Sequence, residues 1–154
     1  MLRVFKFACA LIFCGSLGSL PCHAGEDCFG TLRNGLVKGG YSGDLDCSDI
    51  KVNLKEVGTL IAGPNSYTIY DFRYTTIPSP SGTAHGGQRV WVFSADGLYV
   101  GQYVLSPPPY RSIRISGNTL TLDVPAGHGE KVVFSDGSPP KQSFVDDDIV
   151  PLEK

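Results

Sequence analysis

The stretch RVWVFSADGLYVGQY, residues 89–103, decides the fold of this chain. Two apolar runs flank a short polar triplet that ends in Gly97, a pattern typical of a three-residue hairpin loop with a left-handed glycine. Side chains alternate between the two faces of a strand. The two faces of the first run are Val90 with Val92, and Trp91 with Phe93. Because both faces are apolar, we predict a central hairpin that is covered on both sides.

A second hairpin is predicted in RISGNTLTLDV, residues 114–124, where Gly117-Asn118 suits a two-residue turn. This turn sets Ile115 opposite Leu120 and continues in the same register along both strands. Isoleucine and leucine then share one face, whereas arginine, serine, threonine and aspartate share the other. The pattern predicts one face in the core and one face in water.

The rest of the chain beyond residue 49 consists of short β-branched and aromatic runs separated by Gly, Pro, Asn and Asp. We predict strands at 50–57, 59–62, 66–75, 88–94, 98–105, 112–116, 119–124, 131–135 and 142–145. This pattern is typical of an all-β domain. The fold class is predicted to be an antiparallel sandwich or small barrel of about eight short strands built from hairpins.

The first 24 residues have the pattern of an export signal. Arg3 and Lys6 precede a mostly apolar run that ends in small residues, with cleavage expected after Ala24. A periplasmic or secreted location is therefore predicted, with no membrane anchor once the signal is removed. Residues 25–154 are expected to form a single all-β domain.

Cysteine usage agrees with export. Three of the five cysteines lie in the signal, which leaves Cys28 and Cys47 to pair in an oxidising compartment. We predict that this disulfide closes an irregular, glycine-rich segment, residues 25–48, with a small hairpin at Asn34-Gly35. The β core is expected to span 49–145, and 146–154 to form an acidic tail.

The chain carries a formal net charge of −2 and has no basic cluster, so nucleic acid is not a favoured partner. The acidic groups at 44–49 lack the glycine and distal glutamate of a calcium loop, and Asp146–Asp148 has the pattern of a solvated charge run. No nucleotide fingerprint or phosphate cradle is present. We predict no metal and no cofactor.

Aromatic side chains offer one candidate binding surface. Tyr70, Phe72 and Tyr74 alternate along one run and therefore share a face, to which Trp91 of the central hairpin is added. Exposed, they could stack on sugar rings or anchor a protein partner. Buried, they would be ordinary core. The sequence leaves both interpretations open.

Histidines offer a second candidate. His85 and His128 both lie in glycine-flanked loops and could act as general acid and general base, with Arg89 as an electrostatic partner. The alternative is that His85 begins the turn into a strand, with Gly86 and Gly87 supplying backbone angles that other residues resist. We favour the turn, because two loop histidines without a further motif are weak support for catalysis.

The sequence therefore favours binding over catalysis. The expected function is that of a small exported β-domain, an envelope-associated interaction or inhibitor-type module whose partner is a protein or a glycan. The alternatives are a carbohydrate-binding module that uses exposed tyrosines, and a small secreted hydrolase or nuclease that uses His85 and His128.

Overall fold

The structure is a computed structural model that describes residues 28–76, 82–105, 110–123, 129–145 and 148–154. The proposed signal, His128 and part of the acidic run lie outside these ranges. The described residues form a 3₁₀ turn at Gly30–Leu32, an α-helix (α1) at Arg33–Gly39, and strands at Ile50–Ala62 (β1), Asn65–Thr76 (β2), Gly86–Ser94 (β3), Tyr99–Leu105 (β4), Ser112–Ser116 (β5), Thr119–Asp123 (β6), Glu130–Val133 (β7), Gln142–Val145 (β8) and Asp148–Glu153 (β9).

Two antiparallel sheets build the molecule. The first has six strands in the order β1-β2-β3-β4-β9-β8, and the second has three in the order β5-β6-β7. One core lies between them and includes Ile69, Val92, Leu120 and Val132. The predicted all-β antiparallel fold is confirmed, and of the two architectures left open the structure has the sandwich.

The hairpin at residues 89–103 has the predicted central position, with β2 beside β3 and β9 beside β4. Gly97 has φ 77°, as the loop pattern predicts. Val90 and Val92 lie in the core between the sheets. Trp91 and Phe93 belong to a second apolar cluster on the opposite face, so the first sheet is covered on both sides.

The second hairpin is also confirmed. Ile115 pairs with Leu120, and the predicted register continues from Ser112↔Asp123 to Ser116↔Thr119. Leu120 and Leu122 are fully buried, whereas Arg114 is exposed and forms an ion pair with Asp123. The polar and apolar faces are thus where the alternation places them.

The two predicted strands at 50–57 and 59–62 are one continuous strand. The register of β1 against β2 shifts between Glu56 and Gly58, which marks a β-bulge. Gly58 has φ 145°, a conformation that favours glycine. Gly58, which separates the two predicted strands, therefore bends one strand without ending it.

The C-terminal residues are a strand and not only a tail. Asp148–Glu153 forms β9, which pairs with β8 and with β4. Leu152 lies opposite Tyr103 and packs against the core between the sheets. The acidic run at 146–148 favours a tail, but the apolar residues that follow it form a strand between β4 and β8 of the first sheet.

The segment expected to be irregular contains α1, so the predicted hairpin at Asn34-Gly35 is wrong. Two glycines one turn apart bring this helix against the β3–β4 hairpin. A Cβ on Gly35 would lie 2.1 Å from the carbonyl oxygen of Gly97, and one on Gly39 would lie 2.2 Å from that of Tyr99. Packing against the sheet therefore stabilises a helix that its composition disfavours.

The predicted Cys28–Cys47 disulfide is present. It closes residues 28–47, which together with residues 48–49 form a segment that we call the N-terminal layer. This layer covers the outer face of the first sheet, where Phe29 and Leu36 pack with Phe72, Trp91 and other aromatic residues. No helix in the described part of the chain is long and apolar enough to cross a membrane.

Candidate functional site

The predicted aromatic surface is largely core. Phe72 and Trp91 are 3% and 0% exposed, and their rings stack at 4.3 Å with an interplanar angle of 18°. The N-terminal layer lies over them, with the Phe29 ring 5.4 Å from Trp91. Only Tyr70 and Tyr74, at the two ends of the stripe, are partly exposed. The structure brings the four residues together, but the middle of the stripe offers no open surface.

Burial shifts the ionisation of tyrosines at this face. It raises the pKa of Tyr41 and of Tyr99 above the ordinary value, and it does the same to Tyr70, whose hydroxyl also meets Glu56 at 3.4 Å. All three phenols are therefore neutral, uncharged groups at physiological pH. They pack within and around the aromatic cluster on the outer face of the first sheet.

Arg89 is held within the same face. Its guanidinium lies 5.4 Å from the centre of the Tyr74 ring, and Nη1 donates to Oε1 of Gln102 at 3.3 Å. The same oxygen accepts from Nε1 of Trp91 at 3.0 Å. The Nε of Arg89 is buried and has no hydrogen-bond partner among the described residues. Arg89 thus fixes the amide of Gln102 beside Trp91.

His85 is exposed and lies just before β3. Its backbone N–H donates to Oγ1 of Thr76 at 2.8 Å, and its carbonyl accepts from the backbone N–H of Thr76 at 2.7 Å. These bonds close the open end of the β2–β3 pair. Because His128 lies outside the described residues, the proposed pair of catalytic histidines stays a prediction.

The two glycines after His85 are not needed for unusual backbone angles. Gly86 and Gly87 belong to β3 and are absent from the residues with positive φ, which corrects the expectation of a glycine turn. A Cβ on Gly87 would lie 2.6 Å from the Tyr74 ring, and one on Gly86 would lie 2.6 Å from the Tyr110 hydroxyl. Both glycines therefore make room for aromatic rings.

We expect Gly87→Val to destabilise the protein by about 1–2 kcal/mol, because it displaces the Tyr74 ring that stacks on Arg89. His85→Ala should change stability by less than about 0.5 kcal/mol, as at other exposed sites. Urea unfolding of both variants measures the difference. A large loss in His85→Ala with none in Gly87→Val would contradict this assignment.

An open cleft of about 260 Å³ lies where β1 begins and β2 ends, beside Tyr110. The residues that line it include Lys51, Asn53, Arg73, Thr75 and Tyr110. The strand register explains the grouping, because Lys51 pairs with Thr75, and Asn53 with Arg73. Residues that are directly opposite in an antiparallel pair project from the same face.

Arg73 is fixed in this cleft by three contacts. Its Nη2 lies 2.7 Å from Oδ2 of Asp71 and donates to the carbonyl of Arg111 at 3.0 Å. Its Nε donates to Oδ1 of Asp71 at 3.2 Å. The guanidinium also lies 5.1 Å from the centre of the Tyr110 ring. Such a preorganised arginine loses little side-chain entropy when a ligand binds.

The buried side-chain amide of Gln88 fixes the residues behind Arg73 by hydrogen bonds. Gln88 is 1% exposed, and its Nε2 donates to Oδ1 of Asp71 and to the carbonyl of Arg111, both at 2.8 Å. Its Oε1 accepts from the backbone N–H of Arg111 at 2.8 Å. Gln88 therefore joins Asp71 of β2 to the backbone of Arg111, just before β5. These bonds fix the position of the neighbouring Tyr110.

The cleft is locally positive although the whole chain carries a net charge of −2. Asp71 balances Arg73, whereas the exposed Lys51 adds a further positive charge, and Lys55 lies four residues along on the same strand face. Asn53 between the lysines provides amide donor and acceptor groups. The arrangement suits a carboxylate or another small anionic group.

No family of known proteins, curated protein or solved structure matches this chain. The cleft is therefore assigned from its geometry alone. In the described part of the chain, His, Cys, Asp and Glu side chains form no group of three that could hold a metal ion.

Sequence reasoning missed the cleft. Asp71 and Arg73 were visible as a polar alternation on the face opposite Tyr70 and Tyr74, and IKVNLK, residues 50–55, shows the same alternation. That two such runs meet depends on the pairing of β1 with β2. The useful signal was the alternation of polar side chains along both runs, and not the aromatic stripe on the opposite face of β2.

Proposed function

We propose that this protein is an exported binding module that holds an acidic side chain of a partner protein in the cleft formed by β1, β2 and Tyr110. The observation that carries the proposal is the fixed guanidinium of Arg73 beside the exposed Lys51. A carboxylate at this point would meet one preorganised and one flexible cation. Hydrogen bonds to charged groups of this kind are stronger than neutral ones.

The size and charge of the cleft favour a protein partner. A volume of about 260 Å³ accepts a side chain or a single sugar, but not an extended nucleic-acid backbone. Nucleic-acid binding also calls for a larger basic patch than two lysines and one balanced arginine. At the rim of the cleft, Tyr110 is a partly exposed aromatic residue of the type enriched in protein interfaces.

The proposed location is the periplasm or the extracellular space. Two features support it: the export pattern of residues 1–24 and the Cys28–Cys47 disulfide. Disulfides persist in oxidising compartments and are rare in the cytosol. A partner in the envelope or the medium follows from this location.

We expect affinity capture from the native envelope fraction to retain the same acidic-surfaced partner on the wild-type protein and on Lys38→Glu. Lys38 is exposed on α1, away from the cleft, so Lys38→Glu matches the charge change of the test variant. Lys51→Glu should weaken retention at least about tenfold, because it places a carboxylate where the ligand's carboxylate binds.

Three outcomes decide between the classes. Equal retention by Lys51→Glu would overturn the proposed cleft. Displacement of the partner by a uronic-acid oligosaccharide, or capture of a glycan instead of a protein, would favour the carbohydrate-binding alternative. Turnover of a phosphodiester or ester that is lost in His85→Ala would favour the secreted hydrolase.

A further inference from the structure

The guanidinium of Arg73 already has partners on two of its three nitrogens. Nε and Nη2 both contact the carboxylate of Asp71, at 3.2 and 2.7 Å, and Nη2 also donates to the carbonyl of Arg111 at 3.0 Å. Nη1 has no hydrogen-bond partner among the described residues. A ligand in the cleft therefore cannot use the Nε and Nη2 pair, with which arginine makes two parallel hydrogen bonds to a carboxylate or phosphate.

Asp71 is fixed beside Arg73 by a second donor. Asp71 is buried, and its Oδ1 accepts from Nε2 of Gln88 at 2.8 Å as well as from Arg73. The same Nε2 donates at 2.8 Å to the carbonyl of Arg111, which is the other acceptor that Arg73 uses. Gln88 and Arg73 thus share both acceptors. An anion that displaced Asp71 would deprive the buried amide of Gln88 of a partner, which is costly.

The charges at the cleft leave one cation without a partner. Of the described residues that line the cleft, Lys51 and Arg73 are the charged ones, and Asp71 balances Arg73. Lys51 is exposed and forms no ion pair with a described residue. Lys55 is four residues along the same strand face, about 13 Å away at ~3.3 Å per residue, which exceeds the Debye length of about 8 Å at physiological ionic strength. One unbalanced cation matches a ligand with a single negative charge.

We propose that Asp71 makes the cleft selective for a singly charged carboxylate, the side chain of an aspartate or glutamate, and against dianionic phosphoryl groups. This selectivity rests on the proposed function, because it concerns the ligand of the same cleft. A carboxylate would accept from Nη1 of Arg73 and from the ammonium group of Lys51. A dianion would bring a second negative charge toward Asp71, with no further cation in the cleft to balance it. Specificity of this kind needs a repulsive element as well as an attractive one.

The test compares two probes, N-acetylglutamate N-methylamide and N-acetylphosphoserine N-methylamide, in which only the side chain is charged. Both are titrated into the oxidised protein at constant ionic strength and at about pH 8, where the phosphoryl group is a dianion because its second pKa is about 6. The amide resonances of residues 51–53 and 73–75 report binding in the cleft. The wild-type protein should bind the glutamate probe at least about fivefold more tightly than the phosphoserine probe.

Asn53→Lys adds a cation to the cleft without touching the core. Asn53 is exposed and lies opposite Arg73, so this variant is expected to fold normally. It should raise the affinity for the phosphoserine probe at least about tenfold more than the affinity for the glutamate probe. Asn34→Lys is the matched control, because it makes the same change at an exposed position of α1, which packs beside Gly97 at the other end of the first sheet. It should leave both affinities unchanged.

Asp71→Asn removes the repulsive charge itself and should change the ratio of the two affinities in the same direction, again by at least about tenfold. Because Asp71 is buried, the amide spectrum checks the fold of this variant, and Asn53→Lys decides the question if Asp71→Asn does not fold.

The possible results separate the selectivity from the cleft itself. If neither probe shifts the cleft amides of the wild-type protein, the proposed binding cleft is wrong, and the selectivity with it. If the wild-type cleft binds the phosphoserine probe as tightly as the glutamate probe or more tightly, the selectivity alone is overturned. A ratio of affinities that Asn53→Lys leaves unchanged would have the same consequence.

Discussion

Trp91→Ala is expected to lower the free energy of unfolding by about 4 kcal/mol, within the range seen when large aromatic core residues are truncated. Trp91 is fully buried, stacks on Phe72 at 4.3 Å, and lies 5.4 Å from both Phe29 and Tyr41. Removing the indole leaves a cavity between the sheet and the N-terminal layer. The Oε1 of Gln102 also loses the donor that lies at 3.0 Å.

Urea unfolding followed by circular dichroism measures this loss. Val104→Ala is the matched control, because Val104 also lies on the outer face of the first sheet, opposite Arg89, but is 37% exposed. It should cost less than about 1 kcal/mol. A Trp91→Ala protein of nearly normal stability that fails to bind its partner would show that the aromatic stripe is a ligand surface, and would contradict its assignment as core.

The parts of the fold that could be predicted are those fixed by local chemistry. The pairing of Ile115 with Leu120 follows from a two-residue turn and a period of two, both of which lie within one short stretch. The central place of the Trp91 hairpin follows in the same way, because a strand with two apolar faces must be covered twice. Neither inference needs information from distant residues.

The helix α1 could not be predicted on this basis. Gly35 and Gly39 are poor helix formers, and a glycine-rich run is typical of a loop. Their role appears only when the helix meets the carbonyl groups of Gly97 and Tyr99, where a Cβ would have no room. The conformation is therefore fixed by contacts with a hairpin far away in the chain.

The cleft was hidden for the same reason. Lys51, Arg73 and Tyr110 come from three separate segments, and the bulge at Glu56/Gly58 sets which residues of β1 and β2 are opposite. A one-residue change in that register would move Asn53 away from Arg73 to the other face. The candidate site thus depends on a tertiary register that composition and spacing do not reveal.

Replacing Cys28 and Cys47 together by serine is expected to lower the free energy of unfolding by about 3 kcal/mol. The two residues are 19 apart in sequence, and closing a loop of this size restricts the unfolded chain by about that amount. The closed segment also carries Phe29 and Leu36, which cover Trp91. Exchanging both cysteines avoids a free thiol that could form intermolecular disulfides.

The reductant supplies the control for this prediction. Dithiothreitol should lower the stability of the wild-type protein to that of the double serine variant, and it should leave the variant itself unchanged. Thiol titration of the unfolded, oxidised protein purified after export should detect no free thiol. Two titratable thiols would show that Cys28 and Cys47 are reduced in the exported protein. Helix α1 would then depend on packing alone to stay over Trp91, and the disulfide would no longer support the proposed export.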